Sequence, residues 1–331
     1  MLSALFGHLT HAPTLFASMP LLVAFVVVPS LTMAGMTGIE AVPGVSTAAW
    51  FHRLLPLGAV PAQIAALAVA TEFWAHGNLG PAGSIFWLFS TGLSAALFGI
   101  TVAHELIHRR SLVDRCCGGL LLSMSCFGAF KVVHLRVHHR YVGTSRDFAS
   151  ARRGDSIYAF WLRCLIASPR EALRHDAARL MHQHRPLWQS ELLAWYGLSL
   201  LWLLLSIAIW GWTGGLFFLL QSLVAILSLE WTNYVQHYGL RRHADANGRY
   251  EPIRSHHAWS MQCRISNFAL LNLLRHGDHH TRPQEPYHAL ATTPIPSYPY
   301  PFGFMMLLAL VTPLFRRVAD PVLDRVAAAG G

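Results

Sequence analysis

Apolar residues run through this chain in long unbroken stretches, and the charged positions are gathered between them. Met1 to Ile39 contains no Asp, Glu, Lys or Arg. A bilayer core about 30 Å thick takes about 20 residues of apolar helix. The most apolar part of that segment, Leu15 to Met36, is therefore a first expected span, with Pro29 as a tolerated kink. Leu54 to Thr71 is a second, and Ser84 to Ala103 a third that runs straight into the sequence HELIH. Leu192 to Leu229 carries no charge for 38 residues, too long for one crossing. The cluster Gly211-Trp212-Thr213-Gly214-Gly215 divides it and predicts a helical hairpin that returns to the side it left. Phe302 to Phe315 is too short to span and reads as interfacial or re-entrant. Cys116 to Val133, which contains Lys131, reads as lying flat or dipping, because a crossing there would put histidine clusters on opposite sides.

Composition supports the same picture. Of 331 residues, 53% are hydrophobic and 12% charged, with a mean hydropathy of +0.38. Soluble domains run near 25% charged. The expected fold is an all-α, polytopic membrane helix bundle, and with no internal repeat or low-complexity linker it is read as one domain over residues 1–331. The first 39 residues lack the basic start and cleavage site of a signal peptide, so none is expected.

The net charge is +9, and of 25 Lys and Arg residues only Arg53 precedes Arg109. The rest flank the apolar runs, so the excess reads as cytoplasm-facing loops at 109–185 and 241–282 rather than as a nucleic-acid surface. The five cysteines form no C-x-x-C pair, which argues against a built-in zinc ribbon or rubredoxin-type site.

Twenty histidines change the picture most. Nine sit in four places: His104 and His108; His134, His138 and His139; His237; and His276, His279 and His280. Helical residues three or four apart share a face, so each cluster is expected to aim its imidazoles at one point. Glu105, Glu230, Gln236 and Asp278 lie beside these positions and are the expected polar partners that hold the rings in orientation. Nine imidazoles exceed one tetrahedral zinc and suit two metal ions with open positions, although imidazole accepts Zn, Cu, Fe or Ni alike. HELIH alone is also the H-E-x-x-H of zinc proteases. Membrane proteases of that kind take a third ligand, commonly an Asp in another helix. The apolar spans offer none, and the later clusters would have no purpose.

Taken together, HELIHRR, HLRVHH, NYVQHYGL and LLRHGDHHTRP resemble the membrane-bound histidine-box superfamily of fatty acid desaturases and hydroxylases. Within it they are most similar to the bacterial alkane 1-monooxygenases and xylene monooxygenases. The stretch VGTSRDFASARRGDS after the second box resembles that family too, and the similarity runs from about residue 84 to 290. The resemblance implies two non-haem iron ions held by the nine histidines. It implies O2-dependent hydroxylation of an unactivated C–H bond in a lipophilic substrate, an alkane, fatty acyl chain or alkylbenzene. A separate rubredoxin or ferredoxin with its reductase would supply electrons. The implied location is the bacterial inner membrane, with the metal site facing the cytoplasm. Desaturation or alkene-forming decarboxylation on the same scaffold stays open. So does a non-catalytic metal-handling role, which charged residues recurring within the spans would favour. Two positions depart from the family: Gln236 stands where Glu often precedes the intermediate histidine, and Val137 where Gly is usual.

Other residues take blander readings. His243, His256, His257 and His288 read as solvated loop histidines before spare ligands, and Arg174 to Arg185, with His175, His182 and His184, as a polar loop that either faces lipid headgroups or docks an acidic electron-transfer protein. Trp87, Phe89, Phe98, Trp202, Phe217 and Phe218 read as packing or lipid-facing aromatics before the lining of an apolar tunnel, and Glu72 as an ionisable group close to a span.

Overall fold

The computed structural model describes residues 13–35, 49–261, 263–291 and 296–328. Met36, the last residue of the first expected span, lies outside them. The described residues form helices and no strand beyond one isolated bridge, Ala244 to Tyr250. Among the described residues, four helical stretches are long and apolar enough to cross a membrane: Pro13–Met33 (α1), Trp50–His76, Gly80–His108 (α3) and Glu191–His237. The second lies within the helix Ala49–His76 (α2). The fourth is two helices, 191–210 (α7) and 212–237 (α8), broken at Gly211 with φ 66° and ψ −166°. That is a conformation essentially confined to glycine. The chain doubles back there. A Cβ on Gly215 would lie 2.5 Å from Ile207 and 3.5 Å from Leu203, twelve positions earlier, which a straight helix would hold far away. The expected hairpin is therefore present, turned by one glycine.

Shorter helices follow at Leu112–Ser123 (α4), 128–141 (α5), Ile157–His182 (α6), Arg264–Ala269 (α9), His276–Thr281 (α10), Phe302–Leu310 (α11) and Thr312–Ala328 (α12). Cys116 to Val133 falls on α4 and α5, which are separated by a turn at Cys126 with φ 51°. At 12 residues, α4 is too short to span. The same holds for α11 at 9 residues.

The described residues divide into two compact units. The first comprises 13–24, 49–131 and 176–229; the second comprises 25–35, 132–175 and 230–328. In the first unit helices approach closely through small residues, as membrane helices do where no hydrophobic effect drives them together. A Cβ on Gly92 would meet Val224 at 2.5 Å, and Cβ atoms on Gly119 and Gly128 would meet the Trp195 side chain at 2.4 and 2.7 Å. Buried Trp87 donates to Ala70 O (2.9 Å) and Ser90 to Ala17 O (2.6 Å), so buried polar side chains spend their donors on neighbouring helix carbonyls. Trp87, Phe217 and Phe218 are core residues, whereas Phe89 and Phe98 are about half exposed. Glu72 sits at the hairpin end, taking the Trp210 indole N–H at 2.7 Å.

Lys131 meets Glu191 at 2.8 Å and lies over the Trp195 ring, 4.6 Å from its centre. Its side chain is 9% exposed against 29% for Glu191. Glu191→Ala is expected to destabilise the protein by about 2 kcal/mol, less than the roughly 3–5 kcal/mol of a fully buried broken pair. Thermal unfolding in detergent checks this, and Lys131→Met in the same background should recover most of the loss.

In the second unit aromatic rings enclose the end of α8. Trp259 stacks on Tyr298 with centres 3.9 Å apart, Trp259 Nε1–H donates to Tyr238 O (2.8 Å), and Tyr298 O–H donates to Val235 O (2.9 Å). α12 closes the same place. Leu323 fills the space beside Gly239 (φ 75°), where a Cβ would lie 2.3 Å from it, and Tyr238 O–H reaches Asp320 at 3.0 Å.

Candidate metal centre

α3 is continuous from the third apolar run into HELIH, with one π-helical turn at Ala95–Ile100. His104 and His108 share a face as expected, their ring centres 5.0 Å apart. Both belong to the first unit.

The other seven candidate ligands lie in the second unit and fall into two groups. His134, His139 and His279 form one; His138, His237, His276 and His280 form the other. In each, one nitrogen per ring lies within 4.8 Å of the rest. The groups adjoin, with the His139 and His280 ring centres 4.7 Å apart.

This division corrects the expectation that each sequence cluster aims at one point. His134–His138 is a π-helical turn, with the His139 N–H bonded to His134 O. Such turns place residues five apart above one another, so His134 and His139 meet Nε2 to Nε2 at 2.9 Å while His138 turns to the other group. In α10, His276 and His280 are a helical turn apart and meet at 3.1 Å, and His279 faces His139 at 3.1 Å. His276 also meets His237 at 2.9 Å.

These distances test the fit to a metal. A ring nitrogen carries one hydrogen or one lone pair in the ring plane, never both. His276 Nε2 faces two Nε2 atoms, those of His237 and His280, and His139 Nε2 likewise faces those of His134 and His279. Hydrogen bonding serves one of two such neighbours. A cation taking a lone pair from each serves all of them, and nitrogens bound at right angles about 2.1 Å from one ion stand about 3.0 Å apart. Burial first, and neighbouring imidazoles second, hold His276 and His280 well below the ordinary imidazole value, in the neutral form that binds metal. The residues fit a pair of metal ions.

The expected orienting groups have other partners in the structure. Glu105 takes Arg109 Nε–H at 3.1 Å, and Arg109 also reaches His52 O and Arg53 O. Gln236 donates to Leu273 O at 3.1 Å and accepts Trp259 N–H on its backbone carbonyl, steadying the chain that enters α10. Asp278 binds Arg282 and takes Ala291 N–H at 2.7 Å, tying α10 to the segment beyond it. Glu230, buried, takes Asn233 Nδ2–H at 3.1 Å and neighbours the Cys164 thiol. Asp147 is a carboxylate that touches a candidate ligand, with Oδ2 2.9 Å from His138 Nδ1. It lies within the quoted VGTSRDFASARRGDS, nine residues after His138, but no helical spacing singles it out.

A third group, Glu251, His256 and His257, also brings its donor atoms together. His243 and His288 are exposed as expected, but His257 is buried behind the third box, which corrects its reading as a solvated residue. Its Nδ1 accepts Arg254 N–H at 3.0 Å, so the neutral ring carries its hydrogen on Nε2, which points at Glu251 Oε1 3.5 Å away. This is a histidine–carboxylate contact, not a free lone pair for a metal. Burial, above all, pushes His257 down from 6.5 to about 4. The unfolded chain thus binds a proton that the folded one refuses. Stability should be complete above about pH 6.5, fall by up to about 1.4 kcal/mol per pH unit between there and about 4, and level off below. Unfolding midpoints across a pH series check this, with a shallower slope expected for His257→Gln.

Comparison with known proteins places this site in context. Residues 79–293 match the family model described as fatty acid desaturase. The chain is 40% identical to alkane 1-monooxygenase 1 of Pseudomonas aeruginosa over 82% of its own length and 72% of the relative's. It is 34% identical to alkane 1-monooxygenase 2 of Alcanivorax borkumensis, over 83% and 72% respectively. It is 29% identical to the xylene/toluene monooxygenase hydroxylase component of Pseudomonas putida, over 68% and 60%.

Proposed function

The chain belongs to the fatty acid desaturase family, and from that membership we propose that it is a membrane-bound di-iron monooxygenase. It hydroxylates a terminal or benzylic C–H bond of a lipophilic substrate, an alkane, fatty acyl chain or alkylbenzene. The observation that carries the reading is the pair of adjoining imidazole groups, in which single nitrogens face two neighbours at 2.9 to 3.1 Å. The names of the relatives support an alkane or alkylbenzene as substrate.

His134, His139 and His279 would contribute to one iron and His138, His237, His276 and His280 to the other; the family resemblance adds His104 and His108 to the ligand set. Bound iron supplies what no side chain can, the activation of O2 and the cleavage of an unactivated C–H bond. The protein's own part is to aim the rings and to keep bulk water away. Burial keeps water from His138, His237, His276 and His280, each under 5% exposed. Electrons come from a separate rubredoxin or ferredoxin with its reductase. The absence of any C-x-x-C pair in the chain supports an external donor. We place the enzyme in the bacterial inner membrane as one multi-pass domain, with the centre on the cytoplasmic side, where the Arg-rich segments lie under the positive-inside rule.

Turnover of purified protein with an alkane, a fatty acid and an alkylbenzene, under ¹⁸O2 with a donor and reductase, tests the proposal. The expected product is an alcohol carrying one ¹⁸O atom, from protein containing two irons per chain. An alkene without ¹⁸O would assign the desaturase or decarboxylase chemistry instead. Protein with stoichiometric zinc and no iron would overturn the di-iron reading.

A further inference from the structure

We propose that Asp147 is a positioning residue for the four-imidazole group, fixing His138 in the tautomer whose Nε2 offers its lone pair to a metal. The proposal rests on reading that group as a metal site. The Asp147 side chain is fully buried, at 0% exposure. Its two oxygens face three donors: Ala149 N–H on Oδ1 at 3.1 Å, and Ser150 O–H (2.6 Å) and His138 Nδ1 (2.9 Å) on Oδ2.

Two of these hydrogens are fixed by chemistry. A backbone amide only donates. The Ser150 hydroxyl already accepts Gly143 N–H at 2.9 Å, which leaves its own hydrogen for Asp147. A carboxylate only accepts, so His138 must carry its hydrogen on Nδ1, and Nε2 is left with the lone pair. That Nε2 is buried with no hydrogen-bond partner. Its ring stands 4.7 and 4.8 Å, centre to centre, from those of His237 and His280.

The carboxylate is also anchored to a second ligand through the backbone. Gly143 O accepts Arg242 N–H at 2.9 Å, and Ala151 O accepts Gly239 N–H at 3.0 Å. The loop that carries Asp147 is thus fastened at both ends to the strand of chain that leaves His237. Asp147 therefore sets the tautomer of His138 and the spacing between His138 and His237 together.

An amide at this position holds His138 less firmly. Asparagine offers one accepting oxygen to three donors, so its NH2 must confront either Ala149 N–H or the Ser150 and His138 pair. In the second case His138 turns to its other tautomer and puts a hydrogen where the metal belongs.

The test uses the full-length protein in detergent, stripped by chelation and titrated with Co²⁺, whose visible absorption reports its ligands. Wild type should bind two Co²⁺. Asp147→Asn should weaken one of them by about 10- to 100-fold, the usual cost of losing a carboxylate partner of a ligand histidine, and leave the other unchanged. A merely structural role would move both together. Ser150→Ala keeps the carboxylate but loosens it, and should weaken the same ion by less than Asp147→Asn does. Two unchanged ions in Asp147→Asn would overturn the proposal while the metal reading stands. Failure of wild type to bind Co²⁺ or iron at all would overturn the metal reading itself. Should Asp147→Asn not fold, Ser150→Ala decides: one weakened ion supports the proposal, and wild-type binding of both overturns it.

Discussion

His276→Ala is expected to purify with well under two irons and to lose hydroxylation by more than about 100-fold, beyond the 10- to 100-fold that loss of an outer partner costs. His276 Nε2 is the middle atom of its group, 2.9 Å from His237 and 3.1 Å from His280. Removing it breaks both contacts and leaves buried imidazoles with no common focus. The variant also separates reaction classes. His104, Glu105 and His108 are all retained in the variant, so a peptidase built on H-E-x-x-H alone would keep its activity. Iron analysis, together with product analysis on the same preparation, checks the prediction. Full iron and full hydroxylation would remove His276 from the centre.

Gly277→Ala should be nearly as damaging while leaving all nine histidines in place. Alanine normally favours a helix over glycine by about 1 kcal/mol. Here the added methyl would sit 2.2 Å from Ser255 O and 3.0 Å from the Ser255 carbonyl carbon, and backbone cannot swing aside as a flexible side chain can. Overpacking typically costs about 1–3 kcal/mol, and this contact belongs at the upper end. The displaced element is α10, so its three imidazoles move with it and metal affinity falls too. A lowered unfolding midpoint and reduced metal content, measured on protein that still inserts in the membrane, are the expected results. Gly248→Ala, where a Cβ meets nothing within 4 Å, is a control for backbone strain alone because its φ is 72°.

The membrane-capable helices were legible because their signal is additive. Some twenty apolar residues suffice wherever they point, so Leu54 to Thr71 and Ser84 to Ala103 are found without knowing any contact. The hairpin was legible because Gly211 to Gly215 interrupts a run too long for one crossing. The nine histidines stand out by number and spacing. Their partition does not, since it depends on a local change of helix type. Spacing of three and four assumes α-helix, and the π turn at His134–His138 sends His138 away from His134. Orienting groups were harder still. Asp147 acts from a loop, and Gln236 and Asp278, although adjacent to ligands in sequence, spend their side chains on Leu273 O and on Arg282. Burial of His257 follows from packing of Ser255–His257 against α10, which no local pattern encodes.

The π turn bears on which changes the second box tolerates. Its widened ring of hydrogen bonds holds one more residue per turn than an α-helix does. Exchange of Leu135 or Arg136 for another side chain leaves that count intact. Deletion of either does not, because one residue fewer lets the turn relax to α geometry and rotates everything before it by about 100°. His134 would then leave the side of His139. The box is a ruler as much as a set of ligands: its geometry depends on the number of residues between its histidines.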